Sequence, residues 1–169
     1  MAQAARGGLS ELDTFMPSYE FVERHAISVA ADAERADRAV REVRFRDVPM
    51  LRVLLLARGL GAGAGEEGVL AAMARRATVL EDVPGQGIVL SLRGQFWRAR
   101  GRGGDDPPAV AVVDFRAAPG RLTTETRVHV PDPVSRRKFS RYWRVIRPFS
   151  GLTRMLVLRA AKRRAELSA

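Results

Sequence analysis

A chain of 169 residues is long enough for one domain with its own apolar core and short for two. It has no cysteine and two histidines, His25 and His129, which excludes disulfides, thiol nucleophiles and cysteine-ligated metal sites, and makes a histidine-rich metal site a poor expectation. The net charge of +10 is confined to one segment: residues 134–169 hold 11 basic residues and one acid, Glu166, whereas residues 1–133 hold 18 of each.

Residues 1–17 contain one arginine and no apolar run, so they read as a flexible tail and not as a signal peptide. Residues 18–167 are expected to form the single domain, in the cytoplasm. From Tyr19 to Val29, alternation predicts a strand with Tyr19, Phe21, Ile27 and Val29 on one face, which carries Glu23 and His25 onto the same face. Asp32 is placed to cap a helix reaching about Val43, with Ala33, Ala36, Ala39, Val40 and Val43 as its apolar stripe. A second helix is expected after Pro49. Residues 59–65 then read as a loop, and residues 67–75 as a short helix. The longest greasy stretch, Leu51 to Leu60, is interrupted by Arg52 and Arg58 and is too short to span a bilayer.

Four further strands are expected over residues 77–82, 87–98, 109–117 and 121–130, with tight turns at Pro84-Gly85 and Pro119-Gly120 and a longer mobile loop over residues 101–108. In the last of these strands Leu122, Thr124, Thr126, Val128 and Val130 share one face. From Asp132 onward the chain carries its longest helical pattern, with Phe139, Tyr142, Trp143, Ile146, Phe149, Leu152, Met155 and Leu156 recurring at helical spacing. Pro148 lies inside it, removes one hydrogen bond and crowds the carbonyl of Arg144, which predicts two pieces hinged near residues 148–151.

Two motifs bear on chemistry. Gly59-Leu-Gly-Ala-Gly-Ala64 matches the glycine pattern of a dinucleotide-binding turn, but hairpins follow it instead of the required strand–helix crossovers. A loop is the better reading, and no cofactor is expected. The second is the polar set Glu23, His25, Thr124 and Thr126 on otherwise apolar faces. A carboxylate beside an imidazole suits either acid–base work or the holding of a polar ligand group, and a hydrogen-bonded structural pair is the plain alternative.

The order of strand, helices, antiparallel strands and long helix resembles the START-related helix-grip superfamily, also called SRPBCC or polyketide cyclase/dehydrase-like. The likeness is carried by Tyr19-Glu-Phe-Val-Glu-Arg-His25, Gly94-Gln-Phe-Trp97, Leu122-Thr-Thr-Glu-Thr-Arg127 and Arg141-Tyr-Trp-Arg-Val-Ile-Arg-Pro-Phe-Ser-Gly151, and is strongest to an uncharacterised bacterial branch. It implies an α+β fold in which a curved antiparallel sheet wraps around the C-terminal helix and leaves a cavity. Phe21, Leu90, Phe96, Val113, Phe115, Thr124, Thr126, Tyr142, Ile146 and Phe149 are then the expected lining. The leading expectation is binding or carriage of an apolar small molecule such as a lipid, polyketide or quinone. The alternatives are a cyclase- or hydrolase-type enzyme using His25 and Glu23 as acid and base, and an interaction module in which Arg136, Arg137, Arg141, Arg144, Arg147, Arg154, Arg159, Arg163 and Arg164 meet nucleic acid or an anionic membrane.

Overall fold

In the computed structural model, which describes residues 11–57, 65–98 and 106–167, the alternating segments pair as one curved, open antiparallel sheet. Its strands are β1 (Phe21–Ser28), β2 (Thr78–Val83), β3 (Gly87–Gly94), β4 (Ala109–Ala118) and β5 (Arg121–His129), in the spatial order β1-β5-β4-β3-β2. The tight hairpins follow from turn chemistry. Pro84 and Pro119 suit the first turn position, and Gly85 and Gly120 take φ of 82° and 76°, which side chains disfavour.

Three short helices follow β1: α1 (Ala33–Arg41), α2 (Pro49–Ala57) and α3 (Val69–Ala74). Asp32 caps α1 by accepting a 2.8 Å bond from the Arg35 backbone N–H. Buried Asp37 on α1 accepts from Arg41 Nε at 2.7 Å and from the Gly85 N–H at 2.8 Å, so the helix holds the β2–β3 turn. The long helix α4 (Pro133–Leu167) starts at Asp132, whose carboxylate accepts from the Ser135 N–H at 2.6 Å. It runs through Pro148 as a single helix.

Alternation assigns the two sheet faces. The inward face meets α1 and α4 in a core that includes Ile88, Leu90, Val113, Phe115, Leu122, Leu158 and Ala161. Beyond it lies a separate aromatic group, in which Phe139 packs against Phe21, Phe96, Trp97, Tyr142 and Trp143. Leu12 and Met16 cover Val89 and Val112 on the opposite face.

Three expectations are corrected here. Residues 11–17 are not a loose tail: Leu12 is fully buried, because apolar side chains on the sheet's second face need a cover. Tyr19 precedes β1 and sits on that second face, where the Arg127 guanidinium lies 4.5 Å from its ring centroid. Phe149 and Leu152 do not point inward. They are 47% and 43% exposed, because the buried stripe of α4 shifts around the helix between Trp143 and Gly151. The glycine motif at residues 59–64 and most of the expected loop at 101–108 lie outside the described residues.

Leu158 joins α4 to the main core and has no exposed surface. Leu158→Ala is expected to cost about 2–5 kcal/mol, whereas Val145→Ala, at 68% exposure, is expected to stay within about 0.5 kcal/mol. Urea unfolding of the two variants checks both values.

Candidate functional site

The register of β1 on β5 sets Glu23 opposite Thr126 and His25 opposite Thr124. All four belong to the inward face, so pairing builds a square of polar side chains where apolar ones are the rule. Glu23, Thr124 and Thr126 are buried, and the His25 side chain is 21% exposed. His25 Nε2 lies 3.3 Å from Glu23 Oε1, a close contact without the alignment of a hydrogen bond.

The helix makes this square a belt. Gly151 of α4 lies directly over it: a Cβ there would stand 2.8 Å from Glu23 Oε1 and 3.1 Å from His25 Cε1. One turn on, Arg154 reaches down and donates from Nη1 to the Thr124 hydroxyl at 3.4 Å, while that hydroxyl donates to the Asp114 carbonyl at 2.6 Å. Burial pushes the Arg154 guanidinium down to about 10, against the opposing pull of Glu23 and Asp114. The belt thus crosses from β1 over β5 to α4 and separates the main core from the aromatic group.

Four shielded polar atoms of the belt have no hydrogen-bond partner among the described residues: Glu23 Oε2, His25 Nε2, Thr126 Oγ1 and Arg154 Nε. Such atoms are costly, at about 1–3 kcal/mol each when left unsatisfied. Chemically the belt sets a carboxylate, an imidazole, a hydroxyl and a guanidinium side by side on the inward face. Together they can donate and accept hydrogen bonds.

Eight of the ten residues expected to line a cavity divide among three places. Thr124 and Thr126 are in the belt. Phe21, Phe96 and Tyr142 are in the aromatic group. Leu90, Val113 and Phe115 lie buried in the main core. Ile146 is half-buried on α4 and Phe149 faces solvent. Arg154, which the sequence reading grouped with the outward arginines, turns inward instead. Its spacing three after Gly151 and four before Leu158 is the signal, since those two buried positions share its face. Gly151 gave no signal beyond its being a glycine in a helix.

A second polar place lies on the sheet's other face. There a cleft of about 440 Å³ is lined by Arg24, Gln86, Asp114, Arg116, Arg121 and Glu125, among others. Arg24 binds Glu125 through two bonds of 2.9 and 3.0 Å, Glu125 also accepts from buried Arg127 at 2.6 Å, and Arg127 reaches Asp13 at 2.7 Å. Burial pushes the Asp114 carboxyl up to about 6, opposed by the Glu125 N–H it accepts and by the charge of Arg116. Another cleft of about 480 Å³, between Arg75, Arg76, Ser91 and Arg93, lies towards β2. Among the described residues no cluster of histidines and acids is arranged to hold a metal ion, and no helix is long and apolar enough to cross a membrane.

Compared with models of known families, with curated proteins and with solved structures, the chain matches none.

The raised carboxyl of Asp114 makes a pH prediction. Its folded value lies above its unfolded value, so the fold favours the protonated form, and stability from this group falls as pH rises from about 4 through 6. Asp114→Asn keeps the oxygen that accepts from the Glu125 N–H. The variant is expected to be more stable than the parent at neutral pH, by up to about 3 kcal/mol, with the gap closing by about pH 4. Urea midpoints across that range measure it; a variant weaker at neutral pH would show that Arg116 holds Asp114 ionised.

Proposed function

We propose that this domain binds or carries a small molecule with an apolar body and a polar head, held between the sheet and α4. The head group meets Glu23, His25, Thr126 and Arg154, and the body lies along the aromatic side of the belt, against Phe21, Tyr142, Trp143 and Ile146. One observation carries the reading: four shielded polar atoms of different chemistry lie in one belt without hydrogen-bond partners among the described residues. A protein made only for stability would replace them with apolar groups of the same shape. Lipids, polyketides and quinones have the required division into apolar body and polar oxygen.

The architecture of five antiparallel strands under one long helix is compatible with the helix-grip fold, and it supports reading the chain as an SRPBCC relative. A place in the reducing cytoplasm, which the lack of cysteine suits, belongs to the same proposal. The 3.3 Å contact between Glu23 and His25 favours a second reading, an enzyme of the cyclase or hydrolase kind in which the pair moves a proton on the bound molecule. His25→Ala separates the two, since it abolishes turnover in the enzyme and only changes affinity in the carrier.

Native mass spectrometry of the purified chain, followed by denaturing extraction, tests the binding reading. A stoichiometric apolar adduct is expected. Thr126→Val, which swaps an unpartnered hydroxyl for a methyl, is expected to lose that adduct while keeping or gaining up to about 1 kcal/mol of stability. A variant that keeps the adduct and loses stability would mark the belt as structural. A clean mass, with no thermal shift from fatty acid, sterol or quinone probes, would remove the reading.

A further inference from the structure

The outward side of α4 carries an apolar ridge inside a basic field. Val145, Phe149 and Leu152 recur at helical spacing on one face and are 68%, 47% and 43% exposed. Arg141 continues their line towards the start of the helix and Arg159 and Arg163 towards its end, while Arg137 and Arg144 run along one flank. All five arginines are exposed. None of them is engaged in an ion pair among the described residues, although other basic side chains of the helix are: Arg136 with Glu20, Lys138 with Asp106, and Arg164 with Asp47. The helix therefore sorts its cations, with paired ones turned to the protein and unpaired ones around the ridge.

We infer that this ridge docks the domain on an anionic lipid surface. An exposed phenylalanine, valine and leucine in line gain free energy only where water is excluded, and five guanidinium groups without an ion pair among the described residues call for negative charge beside them. A lipid interface supplies both: acyl chains for the ridge and anionic headgroups for arginines whose long stems let the charge rise beside it. A nucleic-acid backbone would satisfy the arginines and leave Val145, Phe149 and Leu152 in water. The ridge lies on the opposite side of α4 from Gly151 and Arg154, so this inference does not depend on what the belt binds.

The test is co-sedimentation of the full chain with vesicles of phosphatidylcholine alone and of phosphatidylcholine mixed with phosphatidylserine. Strong, salt-sensitive partitioning is expected on the mixed vesicles and little on the neutral ones. Phe149→Ser is expected to weaken partitioning by roughly tenfold, and the pair Arg141→Gln with Arg144→Gln by roughly tenfold or more. Each site is exposed, so unfolding midpoints should stay at the parent value and exclude misfolding as the cause. Three results would overturn the inference: no binding to either vesicle; binding that the arginine pair abolishes but Phe149→Ser leaves intact, with equal retention of a homopolymeric RNA; or self-association in solution that Phe149→Ser removes.

Discussion

The structure depends on how closely one helix can lie on one strand. At Gly151 α4 comes so close to Glu23 and His25 that a methyl group there would stand 2.8 Å from the Glu23 carboxylate and make the tip of that side chain shift. An alanine would be the better helix former by about 1 kcal/mol, so the glycine is explained by proximity and not by helix propensity. With the helix pinned there, its two halves diverge in what they cover. The first half meets aromatic rings and the second meets the aliphatic core.

The same contact explains why polar side chains can occupy the middle of a sheet face. Helix backbone at a glycine fills little space, and Arg154, one turn away, brings a cation to the carboxylate that burial would otherwise penalise. The result is only half compensated. Thr124 uses its hydroxyl on Asp114 and Arg154, whereas the Thr126 hydroxyl has no partner among the described residues. Two threonines on one strand face, two residues apart, thus differ in role: one ties the belt to β4, the other is available to a molecule that approaches it.

Much of this was legible in the sequence, and the reasons are local. Period-two alternation placed Glu23, His25, Thr124 and Thr126 on one face, and the hairpin turns at Pro84-Gly85 and Pro119-Gly120 ordered β2 to β5, because both signals act over a few residues. The pairing of β1 with β5 was not readable from alternation, since it joins segments far apart in the chain. Nor was the direction of Arg154. A single helical wheel drawn over residues 133–167 averages two buried directions that change across the Pro148 region, and so it sent Arg154 outward and Phe149 inward. Residues 11–17 lacked the length to announce a packed segment. Their burial depends on the second face of a sheet that they themselves do not belong to.

The order in which the elements are joined has a consequence for how the chain is made. β1 is the first strand, and its partner β5 is the last, while the helix that covers both follows them all. During synthesis the carboxylate and imidazole of the inward face stay open to water until α4 has emerged, and β1 has no neighbour to join until β5 does. Contacts of this long range delay folding. Until α4 has emerged the inward face has α1 as its main cover, and the polar belt is covered only when α4 packs on β1 and β5. Glu23 and Arg154 lose their water together, at the one moment when each can answer the other's charge.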